Sequence, residues 1–213
     1  MNRERVDQVV RAVLYEGYIL YPYRPSVKNR QRWTFGGLFP RAYSEARGGD
    51  PWEMQTECLL TGREDARLTI TVRFLHLTAR LVGELDSPLA EPPAGEEPTF
   101  RVVESLRVGE RLVHTWQEAV EREVRVGKVR LGDLLGRAHR EPFAFPGGRE
   151  LEPLRDPAGP IVALLVRHRE PVRGVVEAFA APAGEGLSRL TVRVQNLSPL
   201  ETACEMSRDE AQT

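Results

Sequence analysis

Hydrophobic and polar residues alternate with a period of two along the clearest segments of this chain. In "ARLTITVRF", residues 66–74, every second side chain is apolar, and arginine and threonine occupy the positions between. The same alternation returns in "SRLTVRVQN", residues 188–196. This is the period of a β-strand that has one buried and one solvated face. The predicted inward-facing side chains are Leu68, Ile70, Val72 and Phe74 in the first strand and Leu190, Val192 and Val194 in the second.

Turn-forming residues between such segments predict how the strands are connected. "MQTECLL", residues 54–60, reads as a strand that the turn "TGRED" would join to residues 66–74 as an antiparallel hairpin. "VRGVVEAFAAP", residues 172–182, would form a second hairpin with residues 188–196 through the glycines of "GEG". At Leu75 the apolar phase slips by one residue, which predicts a β-bulge or a change of sheet.

The middle of the chain gives a weaker pattern. Residues 99–131 contain spacings that suit a helix, but their glycines and β-branched residues favour strands. Residues 132–160 are rich in proline and glycine and predict mostly loop with one helical turn. The run "IVALLV", residues 161–166, is apolar at every position and is typical of a strand buried on both faces.

Only the N-terminus predicts a helix of several turns. In residues 2–14, valines at positions 6, 9, 10 and 13 recur at spacings of three and four, and charged residues occupy the other face. The final residues, from Ser198 onward, become polar and predict a frayed tail.

Short strands separated by turns, without alternating helices, predict a mainly all-β fold: an antiparallel β-sandwich, with an immunoglobulin-like arrangement as one form of it. Residues 86–98 hold four prolines and four acidic residues and predict a long surface loop. We expect one domain spanning residues 1–213. Two small β domains, 15–85 and 99–200, are the alternative that this loop leaves open.

Composition narrows the classes of partner. The chain has 30 basic and 31 acidic residues, so the molecule as a whole has no field that would concentrate it on nucleic acid or an anionic membrane. No apolar run is long enough to cross a bilayer, and the charged N-terminus does not resemble a secretory signal. We therefore expect a cytoplasmic protein without membrane association.

The cysteines do not indicate a metal site or a disulfide framework. Cys58 and Cys204 are far apart in sequence, and the chain has no C-x-x-C pair. We expect free thiols in a reducing compartment. Because Cys58 lies in a strand-like run beside Leu59 and Leu60, a buried, inert thiol is expected there.

The best candidate contact surface lies in "YPYRPSVKNRQRWTFGGLFP", residues 21–40, where aromatic and basic side chains interleave. Tyrosine, tryptophan and arginine are enriched where protein interfaces carry their energy. The same mixture suits single-stranded nucleic acid, since bases stack on rings and cations neutralise phosphates, but no nucleic-acid-binding module is evident. The candidate partner-binding residues are Tyr21, Tyr23, Arg24, Lys28, Arg30, Arg32, Trp33 and Phe35.

Signs of catalysis are sparse. His139 and His168 each begin the tetrapeptide His-Arg-Glu-Pro, which would be of interest beside a metal, but the cysteine ligands of a zinc deaminase-type site are missing. Solvated loop residues are the favoured interpretation. No nucleophile elbow, zinc-protease helix or phosphate-binding loop occurs in the sequence. We predict no catalytic residue, no metal ligand and no cofactor.

Three stretches, "VLYEGYILYPYRPSVKNRQRWTFGGLFP", "MQTECLL" and "TWQEAVEREV", resemble a family of uncharacterised bacterial proteins associated with nickel–iron hydrogenase gene clusters. The family has no established activity, so no site residue can be carried over. The resemblance implies an accessory role in which the protein assists the assembly or stability of a redox enzyme. It also implies that family members continue beyond Arg208 with a further strand-rich segment, so that this chain is a shortened form.

Three functional hypotheses follow. The leading one is a non-catalytic accessory protein that binds another protein through residues 21–40. The second is single-stranded nucleic acid binding through the same segment. The third is an enzyme whose site is assembled from His114, His139, His168 and nearby carboxylates.

Overall fold

The computed structural model describes residues 3–14, 37–91, 95, 97–200, 207 and 211. Within these residues the chain forms mostly antiparallel β-strands with three short helices, which confirms the predicted fold class and the N-terminal helix. The helices are α1 (Arg3–Leu14), α2 (Arg41–Arg47) and α3 (Leu131–Gly136). The strands are β1 (Glu53–Thr61), β2 (Arg67–Leu89), β3 (Phe100–Val103), β4 (Ser105–Val108), β5 (Arg111–His114), β6 (Trp116–Arg130), β7 (His139–Phe145), β8 (Gly148–Arg155), β9 (Ile161–Arg169), β10 (Val172–Gly184) and β11 (Leu187–Asn196).

Two compact units can be distinguished, and each is assembled from three segments of the chain. Unit 1 contains Met1–Phe35, Leu77–Val120 and Gly147–Glu170; unit 2 contains Gly36–His76, Glu121–Pro146 and Pro171–Thr213. The predicted single domain and its two-domain alternative both stay predictions.

Unit 2 contains a four-stranded antiparallel sheet in the order β1-β11-β10-β7. The predicted inward face of β11 is confirmed, since Leu190, Val192 and Val194 are buried in one hydrophobic core. Val124 and Val126 of β6 belong to the same core, which gives the sandwich packing. The predicted inward-facing side chains of β2 are partly buried against it: Leu68, Ile70, Val72 and Phe74. Removing these side chains from water provides the main force that holds the layers together.

The hairpin predicted at the end of unit 2 is also confirmed. Strands β10 and β11 are antiparallel neighbours with Val176 opposite Val194. The turn between them contains Gly186, whose positive φ of 64° favours glycine.

Unit 1 contains strands in the order β3-β2-β9-β8, with β6 also paired to β2, and a separate hairpin of β4 and β5. Strand β9 carries the predicted all-apolar run, and it lies between β2 and β8. Leu165 packs into one hydrophobic cluster with Val82, and Val166 packs into another with Leu85. The run is apolar at every position because both of its faces are covered.

The hairpin predicted for β1 and β2 is wrong. Strand β1 pairs with β11, from Glu53 opposite Gln195 to Thr61 opposite Leu187. The connection through residues 62–66 instead accepts hydrogen bonds at the start of α3: the carbonyl of Ala66 accepts from the N–H of Leu131 at 2.9 Å. The first backbone N–H groups of a helix have no partner within the helix. Residues 62–66 supply acceptors for those of α3, and they do not form the turn of a hairpin.

The loop predicted over residues 132–160 is wrong in most of its length. It contains α3, which is the predicted helical turn, and the strands β7 and β8. Pro142 and Pro153 suggested loop, but β7 and β8 each lie at an edge of a sheet. Proline is tolerated at an edge because the missing N–H is not needed there for pairing.

Strand β2 also differs from the prediction at two places. Burial continues to alternate through His76 and Thr78, so the apparent phase slip at Leu75 reflects polar residues at buried positions. The strand then extends to Leu89, so the start of the predicted loop 86–98 is strand. The register of its pairing with β9 shifts between Glu84 and Leu89, in the segment that contains Pro88.

The C-terminal residues are described only in part. Ala211 is buried against Phe39 and Tyr43, which corrects the predicted frayed tail at that residue. Tyr43 belongs to α2, a helix that the sequence patterns did not indicate, and its ring stacks on Phe39. Among the described helices, none combines the length and apolar character needed to span a membrane.

Candidate protein-binding surfaces

The predicted contact residues lie outside the part of the chain that the structure describes. All of them fall within residues 15–36, so their role stays a prediction. They are Tyr21, Tyr23, Arg24, Lys28, Arg30, Arg32, Trp33 and Phe35. The nearest described element along the chain is α1, which ends at Leu14.

Helix α1 presents an exposed apolar stripe. Val6, Val9 and Val13 recur at spacings of three and four, which places them on one face of the helix. Val9 is 63% exposed and Val13 is 64% exposed. A surface helix normally buries such a stripe, and a helix of 12 residues is marginally stable without tertiary packing. The stripe of α1 is therefore a candidate docking surface.

A second candidate surface is the outer edge of β1 in unit 2. Strand β1 has nine residues and is the last strand of its sheet. It pairs with β11 without any shift in register, and no described strand pairs with its other side. An edge strand exposes a row of backbone donors and acceptors that can bind another strand.

The side chains of β1 add apolar surface to this edge. Met54 and Cys58 lie opposite Val194 and Leu190, so they point toward the core face of the sheet. Val194 and Leu190 are buried, whereas Met54 is 51% exposed and Cys58 is also exposed. The covering layer therefore reaches Leu60 but does not extend over Met54 and Cys58. On the other face of the sheet, Leu59 is 63% exposed.

Polar side chains on the outer face of this sheet, near β1, hydrogen-bond to one another. Arg193 Nη2 donates to Gln55 Oε1 at 2.9 Å, and Arg193 Nη1 donates to Glu177 Oε2 at 3.4 Å. Thr191 Oγ1 donates to Glu57 Oε1 at 3.2 Å. The bonds to Gln55 and Glu57 join β1 to β11 and hold the edge strand in register, and the bond to Glu177 joins β11 to β10.

The structure places Cys58 at the surface, whereas the sequence predicted a buried thiol. The prediction rested on its leucine neighbours, of which Leu60 does pack against the core. Cys58 is on that same face, but it is exposed because nothing in the described layer reaches it. Cys204 lies outside the described residues.

His139 and His168 each contact a residue close to them in the sequence. His139 and His168 lie in β7 and β9, not in the loops that were predicted. Each contacts the glutamate two residues later: His168 Nε2 lies 2.7 Å from Glu170 Oε1, and His139 Nε2 lies 3.5 Å from Glu141 Oε2. His139 and Glu141 share a face of β7, and Glu170 directly follows the end of β9, so in both copies the histidine contacts the glutamate of its own tetrapeptide.

His76 and His114 are likewise engaged with arginines. His76 is 1% exposed, and Arg122 Nε donates to its Nδ1 at 3.4 Å. The His114 carbonyl accepts from Arg80 Nη2 at 3.1 Å, and Arg80 Nη1 also donates to Glu118 Oε1 at 2.9 Å. Within the described residues, no group of three or more histidine, cysteine, aspartate or glutamate side chains is placed to hold a metal ion.

Charged residues inside unit 1 form a network of opposite signs. Glu118 also accepts from Arg167 Nε at 2.9 Å, and Arg167 Nη1 donates to Glu152 Oε2 at 2.7 Å. The hydrogen bond to Glu152 is the main cause that raises the pKa of Arg167, with further contributions from Glu118. Mutual pairing of this kind joins neighbouring strands.

Comparisons with known proteins found no matching family model, no matching curated protein and no matching solved structure. The resemblance to the hydrogenase-associated family therefore stays a prediction from the sequence.

Proposed function

We propose that this protein is a non-catalytic accessory protein that binds another protein through its N-terminal region, which comprises α1 and residues 15–36. The observation that carries the proposal is the exposed valine stripe of α1. An amphipathic helix that lays its apolar face into a groove of a partner is a common mode of recognition, with anchors at spacings of three and four.

The sequence after α1 supports the same proposal. Aromatic and arginine side chains follow the helix directly, and these residue types dominate the energetics of protein interfaces. The valines of α1 would supply apolar anchors, and the arginines of the segment that follows would supply polar contacts that make the binding specific. The resemblance to a hydrogenase-associated family adds the narrower proposal that the partner is a subunit or assembly factor of a redox enzyme.

The test compares partner recovery by two charge-matched variants. V9E together with V13E places two carboxylates on the stripe, and Q8E together with A12E adds the same charge to another face of α1. Burying two valines is worth about 2 kcal/mol or more, so we expect the stripe variant to bind its partner about thirtyfold less tightly. The control should bind as the wild type does.

Quantitative affinity purification from the source cells gives the readout, followed by titration with the purified partner. Equal recovery of every partner by the stripe variant and the wild type would contradict a role for α1. A third variant, R32A together with W33A, tests the following segment separately. If only that variant loses the partner, the contact belongs to residues 15–36 alone.

A further inference from the structure

The two edges of the four-stranded sheet in unit 2 are protected to different degrees. Strand β7 forms one edge of the sheet. It contains Pro142, which lacks a backbone N–H, and the basic residue Arg140. Proline and basic residues are typical means by which proteins prevent an edge strand from pairing with another chain. Strand β1 has nine residues, contains neither proline nor a basic residue, and pairs with β11 without a bulge. The edge of β1 is therefore open to pairing.

The side chains along this edge also favour an added strand. Met54, Thr56 and Cys58 point to the core face of the sheet and are exposed, because the covering layer stops short of them. A strand added beside β1 would extend the sheet and shield these side chains on one flank. It would also cover part of Leu59 on the other face.

Symmetry limits the ways in which a second copy of the chain could pair with the edge of β1. Most soluble homo-oligomers are dimers with a two-fold axis, and two identical edge strands related by an axis perpendicular to the sheet run antiparallel. Such an axis keeps each side chain on its own face of the sheet. Residues that face each other must share a face, so every allowed register places one residue directly opposite its own copy.

Charge selects among these registers. An axis at Glu57 would place two carboxylates opposite each other, which is destabilising. An axis at Thr56 would bring Pro51, which cannot donate a hydrogen bond, into the pairing. An axis at Cys58 avoids both problems.

The register centred on Cys58 is complementary at its ends. Glu53 faces Arg63 of the second copy, and the same pair recurs on the other side of the axis. Arg63 lies just beyond the end of β1, is largely exposed, and is within 3.4 Å of Asp65. Glu57 then faces Leu59, and Thr56 faces Leu60.

We propose that two copies of this chain associate by antiparallel pairing of their β1 strands about a two-fold axis at Cys58, which joins their four-stranded sheets into one. This association involves unit 2 and goes beyond the proposed binding of another protein by the N-terminal region. Because an edge pairing is a small contact, the dimer is reversible and depends on protein concentration.

The first experiment measures association by sedimentation equilibrium under reducing conditions. C58K places two ammonium groups opposite each other only in the dimer, and each is solvated in the monomer. We expect C58K to raise the dimer dissociation constant about fivefold or more. C58S, which removes the thiol but adds no charge, should stay within about twofold of the wild type, since the backbone pairing is unchanged.

The second experiment identifies the register by cross-linking and does not depend on C58K folding. In a C204S background the only thiol is Cys58, and the added oxidant diamide accepts the two electrons and two protons released when two thiols join. Comparison variants move the thiol to T56C or to the exposed position L112C, each with C58S. Facing Cβ atoms at the axis would be about 5 Å apart, so Cys58 should cross-link about tenfold faster than either.

The outcomes separate clearly. A wild type that stays monomeric up to about 1 mM would overturn the proposal. Cross-linking at Cys58 no faster than at L112C would indicate random collision and would overturn it as well. A dimer that cross-links fastest at T56C would show a different register and so contradict the axis at Cys58. Loss of partner binding by the α1 variants without any change in dimerisation would leave the proposal intact.

Discussion

Two arginine contacts determine the direction in which the pKa of Glu123 is shifted. It accepts hydrogen bonds from Arg125 Nε and from Arg73 Nε, the latter at 3.0 Å. These bonds, with that from Arg125 as the largest contribution, lower the pKa of Glu123 below its ordinary value of 4.5. A carboxyl group whose pKa is lowered by folding stabilises the folded state above pH 4.5 and loses that effect as the pH falls through the lowered pKa.

We therefore predict a pH-dependent effect of E123Q. At pH 7 the variant should be less stable than the wild type by about 1 kcal/mol or less, the range of partly exposed ion pairs. At pH 3 the difference should be smaller than at pH 7, because the wild-type carboxylate takes up a proton as the pH falls through its lowered pKa. Urea denaturation at both pH values measures this gap.

The control for this experiment is E185Q, which changes a side chain in the exposed turn between β10 and β11. Its stability should match that of the wild type at pH 7. A gap for E123Q that stays constant between pH 7 and pH 3 would show that the effect comes from packing and not from the carboxylate charge.

At the scale of elements, β10 packs closely between its two neighbouring strands at Gly174. A methyl group on Gly174 would lie 2.2 Å from the carbonyl oxygen of Gln195 in β11 and 2.4 Å from Cζ of Phe143 in β7. One of these atoms belongs to the backbone of the adjacent strand and cannot move without breaking the pairing. The glycine is therefore required by the close approach of three strands.

We predict that G174A is destabilised by about 3 kcal/mol, the upper end of the range for overpacking. G127A is the matched control, since a methyl group there would meet nothing within 4 Å. That variant should be unchanged or stabilised by less than about 1 kcal/mol. Thermal unfolding of both variants tests the prediction, and equal melting temperatures would contradict the packing at Gly174.

Element boundaries were predictable only where local pattern and tertiary position agreed. The alternation in β11 and the continuous apolar run in β9 predicted both strands. In β11 one face is apolar and in β9 both faces are, so the residues of each strand show by themselves which faces are buried. The strands β7 and β8 were not predicted, because Pro142 and Pro153 break strands in general but are tolerated at edges. Whether a strand lies at an edge is not a local property.

The candidate surfaces show the same limit. The stripe of α1 was predictable as a helix face, but its exposure was not, since the same valines would suit a buried face equally well. The open edge of β1 was missed altogether. Its signal in the sequence, a regular strand without proline or basic residues, gains meaning only once β1 is known to end the sheet.

At the scale of the whole molecule, the chain folds into two units that are interleaved in sequence. Residues 99–213 lack β2, which lies between β3 and β9, and also lack β1. Residues 1–98 lack both β10 and β11, so β1 has no strand to pair with. A cut in the proline-rich segment therefore removes strands from both units.

We predict that neither fragment, 1–98 or 99–213, shows a cooperative unfolding transition by itself. Circular dichroism during thermal unfolding is the measurement. The control is the full chain cut by a protease after folding, within the same connection between β2 and β3, which should keep its transition because every strand is still present. A cooperative transition in isolated 99–213 would support the alternative of two sequential domains.

By itself the sequence determined the class of the fold, because the two-residue alternation that buries one side of a strand is a property of neighbouring residues. It also determined the helix at the N-terminus, for the same local reason. Only the tertiary structure decided that β1 pairs with β11 and not with β2, and where each layer ends. Cys58 lies on the same face as Leu190 yet remains in solvent, because exposure depends on what distant parts of the chain place above a residue.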